Sequence, residues 1–244
     1  MTAAARHEVC AVALAEAFRG DGEILASPMG ILPGIAARFA RATFAPDLLM
    51  SDGVASLVDA GGAVEGWLPY RTVFDTVWSG RRHVIMGAAQ IDRHGNQNLA
   101  CIGDPRKPKA QLLGMRGAPG NTINHTTSYW IPSHSRRVFV AKVDVVTGVG
   151  YDRAAALGPR AARFHELRRV VSDLAVLDFA TDDRSMRLVS VHPGVTVAEV
   201  VEKTGFPLSF VEPVPTTRIP TADELDLLRR VIDPRGLGAK EVAS

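Results

Sequence analysis

The sequence predicts an α/β chain: an open, mostly parallel, doubly wound sheet covered by helices. Three observations lead there. Short runs rich in Val, Ile and Leu recur with little polar alternation, as in strands buried on both faces. Helical stretches separate several of these runs. Two Thr-x-x-Glu capping boxes then mark helix starts toward the C-terminus.

Taken in order, "RHEVCAVALAEAFRGDGEI" opens the chain as a helix. Cys10, Leu14 and Phe18 recur at a spacing of four and so share one face, and Gly20 and Gly22 stop it. "EILAS", "DLLMS", "HVIMGAAQI", "RVFVAKVDVV", "VVSDLAVLDF" and "MRLVSV" follow as strands. Between them, "GILPGIAARFARATF" and "YRTVFDTVWSGR" read as helices. Thr196 with Glu199 nucleates the helix "TVAEVVEKTG", and Thr221 with Glu224 nucleates "TADELDLLRRVIDP", which ends before Pro234. The Pro-rich "EPVPTTRIP" between them is expected to be an extended surface strap. The expected organisation is a single domain over 1–244 with a C-terminal strap and helix at about 212–236.

Composition narrows the function classes. A net charge of +2 with interspersed signs, and no basic run interleaved with aromatics, disfavours nucleic-acid binding. No apolar run is long enough to span a bilayer, and the N-terminus lacks the order of a signal peptide. Cys10 and Cys101 stand apart without CxxC spacing, which predicts buried thiols, no disulfide and a cytoplasmic location.

Several segments are candidates for chemistry. Ser51-Asp52-Gly53 ends an apolar strand, the place where α/β proteins hold ligands. In "RGAPGNTINH", Gly117, Pro119, Gly120 and Asn121 form a loop expected to expose backbone N–H groups to a thioester oxygen, a phosphate or an oxyanion. His125 follows that loop directly and is expected to line a pocket, whereas His134 reads as structural and His192 as a turn residue. Glu65 and Trp67 in "VEGWLPY" sit in a possible lid. Asp92, His94, Asn96 and Asn98 crowd around Gly95 and read as a tight turn, since a metal site needs more convergent ligands. No GxSxG or HExxH motif is present.

From about residue 5 to 236, the order of "LLMSDG", "GRRHVIMGAAQIDRHGNQN", "RGAPGN", "VSVHPGVTVAEVVEKTGF" and "PTADELDLLRRVIDP" resembles the beta subunit of class I CoA-transferases. "GNQN", "APGNTINHTTSYW" and "VVTGVGYD" are most similar to a branch of that family that hydrolyses a ring carbon–carbon bond of an acyl-CoA in cholesterol catabolism. The resemblance implies an open sheet of the CoA-transferase and sugar-phosphate isomerase type. It implies an alpha subunit as partner, in an assembly of two alpha and two beta chains, with the active site between them. It implies an acyl-CoA substrate and no separate cofactor, since CoA is part of that substrate. No metal is expected.

In the transferases a beta-chain glutamate at a strand end carries CoA as a thioester. Ser51 stands at that position here. Asp52 is one residue on, and a one-residue shift in extended chain turns a side chain to the other face. Transfer by the covalent route is therefore disfavoured. Hydrolysis by water, with a general base on the alpha chain, is the expectation, and Ser51, Asp52 and Gly53 then shape the pocket. The Gly117–Asn121 segment matches the family's Gly-rich loop beside the thioester, but Pro119 removes one backbone donor often present there. The alternatives are a conventional transferase using Asp52 as nucleophile, or a non-catalytic ligand-sensing domain of the same fold.

Overall fold

Helix α1 (Arg6–Ala15) buries Cys10 and Leu14 completely, and a 3-10 turn carries the same face on to Phe18. Gly20 and Gly22 follow, both at positive φ. The computed structural model describes residues 3–51, 56–67, 72, 81–115 and 117–242. Strand β1 (Leu25–Pro28) leads into α2 (Ile31–Thr43), which buries Leu32, Ile35, Ala36, Phe39 and Ala40 at helical spacing. Next come β2 (Leu49–Met50), the hairpin β3 (Ser56–Val58) and β4 (Val64–Trp67), and β5 (Arg82–Met86). Two small hairpins pair β6 (Gln90–Ile91) with β7 (Gln97–Asn98) and β8 (Cys101–Ile102) with β9 (Ala110–Gln111). Helix α3 (Ala118–Asn124) enters β10 (Thr126–Ile131). Helices α4 (Tyr151–Ala156) and α5 (Pro159–Ala162) precede β11 (Glu166–Ser172), β12 (Ala175–Asp178) and β13 (Arg187–Val191). The chain closes with α6 (Val197–Lys203) and α7 (Ala222–Leu227).

The central sheet has seven strands in the order β13-β12-β11-β10-β5-β1-β2. Every pair from β2 to β11 is parallel, and the last two pairs are antiparallel. This is the mostly parallel, doubly wound architecture expected. Its faces carry separate cores. Ile85, Trp130 and Val171 point toward α1 and α2, whereas Val84, Met86, Tyr129, Ile131 and Val170 point to the other face. Apolar cover on both sides is why these strands show no alternation.

Three expectations need correction, and β10 was not foreseen. "HVIMGAAQI" is not one strand: the sheet strand stops at Met86, and Gln90–Ile91 belong to a separate hairpin with β7. "RVFVAKVDVV" is not a strand: it runs as turns, bridged to Ile91 only at Phe139. Its apolar residues act singly, Phe139 stacking on His134 and Val143 filling a separate buried position. "VVSDLAVLDF" is two antiparallel strands, because Asp173 and Leu174 make a turn in which the Ser172 hydroxyl accepts the N–H groups of Leu174 and Ala175. β10 takes a central place that its polar start, Thr126-Thr127-Ser128, concealed. Those hydroxyls are satisfied internally, Ser128 by His83 at 3.0 Å and Thr127 by the His125 carbonyl at 3.2 Å. The expected helix "YRTVFDTVWSGR" falls, but for Thr72 and Arg81, outside the described residues.

The C-terminal helices start as their capping boxes predict. The Thr196 and Thr221 hydroxyls accept the N–H of Glu199 and Glu224. The strap before α7 is extended and bridges β13 at Val191–Thr216, so it covers the sheet's edge. α7 continues as a π-helical turn to Ile232, whose side chain joins the core with Leu228. Among the described residues, no helix is long and apolar enough to cross a membrane.

Candidate active site

The strand order locates the site. The chain leaves β1 for β2 on one side and returns to β5 on the other, so it departs in opposite directions beyond the C-terminal ends of β1 and β5. Ser51 sits at that end. It is buried, its N–H donates to the Ala26 carbonyl at 3.3 Å, and it bridges to Leu57 of the β3–β4 hairpin. A cavity of about 240 Å3 lies beside it, lined by Gly30, Ile31, Arg38, Met50, Ser51 and Val58 among others. Among the described residues Arg38 is the charged one on that wall, and burial draws its pKa below the usual arginine value. Sequence reading missed it, because an arginine on a largely apolar helix, with Arg41 three residues on, looks like a solvent-facing residue. No described carboxylate lines this cavity. Asp52 and Gly53 lie outside the described residues.

The N-terminus of α2 points into the same region, but its donors are taken. Glu241 reaches back from the C-terminal segment and accepts the N–H of Ile31 at 2.8 Å and of Leu32 at 2.9 Å. It also accepts the Trp130 indole N–H at 3.1 Å. The chain's own carboxylate thus fills the anion position of this helix.

The hairpin brings Glu65 and Trp67 close to the Ser51 turn. Glu65 pairs with Arg41 at 3.3 Å and is half exposed. Trp67 is 77% exposed, which puts an aromatic at the rim and not in the packing. The Gly117–Asn121 segment is not an open loop. Gly117 caps α3, and Pro119 occupies its first turn, where a missing N–H costs nothing. Asn121 is turned inward, accepting from Arg82 at 3.0 Å and contacting the Met86 sulfur at 3.4 Å. Its side chain is therefore committed to the fold, while Pro119 stays exposed at the same sheet end as Ser51. His125 is at the other end of α3, beside the N-terminal ends of the strands, so the structure does not bring it to Ser51.

His134, His192 and the two cysteines are structural. His134 spans Ser172 Oγ at 2.9 Å and Thr204 Oγ1 at 3.0 Å. His192 is fully buried and not a simple turn residue: it ties Thr217 of the strap to the Ser172 carbonyl. Asp92 Oδ1 accepts the N–H groups of His94 and Asn96 around Gly95, the tight turn expected. Burial pushes the Cys10 thiol up to about 12, and Cys101 is also buried and free. Among the described residues no group of three His, Cys, Asp or Glu side chains is placed to hold a metal ion.

Residues 75–203 match the family model described as coenzyme A transferase. The chain belongs to the coenzyme A transferase family. Over its whole length this family member is 53% identical to the cholesterol ring-cleaving hydrolase IpdB subunit of Rhodococcus jostii (strain RHA1), covering 98% of that protein. It superposes on a chain of the Rhodococcus jostii RHA1 IpdAB crystal structure with a TM-score of 0.94, covering both chains entirely. The decarboxylase AibA/AibB is also similar, at 26% identity and a TM-score of 0.80, with 98% of this chain and 99% of that chain covered. The coenzyme A transferase fold here thus sits between relatives named for hydrolysis and for decarboxylation.

Proposed function

We propose that this chain is the beta subunit of a heteromeric acyl-CoA hydrolase that opens a steroid-derived ring by hydrolytic C–C cleavage. The observation that carries the reading is the full-length likeness to the IpdB subunit, 53% identical with a TM-score of 0.94 against IpdAB. The Ser51 cavity supports it. Covalent transfer of CoA needs a carboxylate at the strand end, and the residue there is Ser51 beside a wall whose charge is Arg38.

In this reading an alpha subunit closes the active site and supplies the general base. Water adds its oxygen to a ring carbonyl carbon as the base takes its proton. The adjacent C–C bond breaks, the electron pair leaves as an enolate-type carbanion and is protonated, and the carbonyl carbon becomes a carboxylate. The CoA thioester stays intact and serves as a handle, and no separate cofactor takes part. This chain shapes the pocket through Ser51, Asp52 and Gly53, the Gly117–Gly120 turn and Trp67. Arg38 stabilises negative charge that develops during addition of water. The enzyme works in the cytoplasm.

The test is the co-purified complex with its alpha partner, given a ring-bearing acyl-CoA in oxygen-18 water. A ring-opened acid carrying one label in its new carboxylate is expected. Exchange of CoA between carboxylates without ring opening, with hydroxylamine trapping at Asp52, would establish the transferase reading instead.

A further inference from the structure

A second cavity, of about 620 Å3, lies at the N-terminal ends of the parallel strands, opposite Ser51. Its walls carry Arg81 and Arg82 at the start of β5, His125 at the start of β10, and Arg163, His165 and Arg168 at the start of β11. Arg82 is the unusual member. It is 6% exposed, and its guanidinium donates to two neutral acceptors, Ser27 Oγ at 2.8 Å and Asn121 Oδ1 at 3.0 Å. Among the described residues no carboxylate pairs with it, and burial draws its pKa down to about 10. A buried cation without a counter-charge is strongly disfavoured, so a fold that keeps one has a reason outside its own packing.

The neighbouring charges do not supply that reason. Asp21 is already shared by His83 at 2.7 Å and Arg168 at 2.5 Å, and Glu166 pairs with Arg168 at 3.0 Å. Among the described residues Arg81 reaches the Asp21 backbone carbonyl and no carboxylate, and Arg163 lies over the Phe164 ring. Among those residues, three guanidinium groups therefore line one cavity without a carboxylate of their own. Two imidazole nitrogens add to this. His125 Nε2 and His165 Nε2 are both buried without a hydrogen-bond partner, and His125 is 3% exposed. His165 Nδ1 lies 2.6 Å from the Thr122 carbonyl and so carries the ring proton, leaving Nε2 as a bare acceptor.

We propose that this cavity binds a small doubly charged oxyanion of the phosphate class, free or as a phosphate monoester. Guanidinium forks match phosphate oxygens in pairs. Two negative charges offset most of the three unpaired cations. The hydroxyl of hydrogen phosphate, or of the alcohol portion of a monoester, gives the bare imidazole nitrogen its donor.

The test is a thermal melt and calorimetric titration of the full chain in complex with its alpha partner. Inorganic phosphate, glycerol phosphate and sulfate are compared with chloride at matched ionic strength. Phosphate is expected to raise the melting temperature saturably and beyond sulfate. Tighter binding of glycerol phosphate marks an organic ester as the natural occupant, and equal or weaker binding marks the free ion. Arg163→Gln, at an exposed position, should fold normally and bind phosphate about tenfold more weakly, the loss of one charge-assisted hydrogen bond. Arg82→Met should be at least as stable as the parent in chloride and gain nothing from phosphate. If it fails to fold, Arg163→Gln and His165→Phe carry the comparison. The proposal is overturned if phosphate does no more than chloride, or if these variants titrate like the parent. It is equally overturned if the lone chain binds phosphate and the complex does not, since a partner carboxylate then fills the site.

Discussion

Arg38 projects from α2 into the Ser51 cavity, partly desolvated. A cation held there strengthens in its effect as water is excluded. Arg38→Gln keeps a polar, hydrogen-bonding side chain, though a shorter one, and removes the charge. The expected outcome is a loss in kcat/KM of about 10- to 100-fold, the worth of one charge-assisted hydrogen bond, with the melting temperature nearly unchanged. Steady-state kinetics of the reconstituted complex check this, and unchanged kcat/KM would remove Arg38 from the site. Gly95 gives a second test at this scale. Its φ is +84°, and a Cβ there would collide with the Leu167 side chain and lie 2.9 Å from Phe179 Cζ. Gly95→Ala should therefore destabilise by about 2–4 kcal/mol, combining left-handed strain with overpacking, as read from urea unfolding. The Asp92–Gly95–Asn96 turn was legible in the sequence because its chemistry is local. Arg38 was not, because its role comes from what the fold places around it.

At the scale of elements, the C-terminal segment closes onto the start of α2 through one side chain. Glu241 satisfies two N–H groups of the first turn and the Trp130 indole together. Glu241→Gln retains one acceptor but loses the charge that complements the helix dipole. It should lower stability by about 1–2 kcal/mol. Because Trp130 loses a partner, the tryptophan emission should shift with the variant even below its melting temperature, whereas a wild-type spectrum would show the contact to be unimportant. Helices were the elements easiest to read, since α2 carries its apolar spacing, and α6 and α7 their caps, within one segment. Strands were harder. β10 begins with three hydroxyl residues and is buried only because β5 and β11 flank it. Residues 137–146 are apolar enough for a strand, yet they serve as separate anchors. The site was legible in part: His125 lines a pocket as expected, but α3 carries it to the far end of the sheet, away from Ser51, and only the fold shows that the Trp67 hairpin lies beside Ser51.

Across the whole molecule, buried imidazoles hold distant segments together and set the response to acid. His134 joins the β11–β12 turn region to the end of α6, and His192 joins the strap to the sheet. Burial draws His134 down to about 3, aided by Lys203, and His192 to about 4. His125 is also lowered to about 4 by burial and by Arg82. These rings are neutral in the folded chain at pH values where an unfolded histidine, titrating near 6.5, takes up a proton. Below about pH 6.5 the unfolded state therefore binds more protons, and stability falls as the pH drops toward about 4. Each ring contributes on the order of 1.4 kcal/mol per pH unit within its window. Asp92 and Asp173 act in the opposite sense, because burial raises their carboxyls, and they offset part of the loss at the lower end. The urea midpoint should accordingly be level between pH 8 and 7 and decline from about pH 6.5 to 4. His134→Gln, which can keep a hydrogen bond to each hydroxyl partner but cannot titrate, should flatten that decline. A midpoint that stays level or rises between pH 6.5 and 5 would mean that the imidazoles joining α6 and the strap to the sheet are protonated in the folded chain.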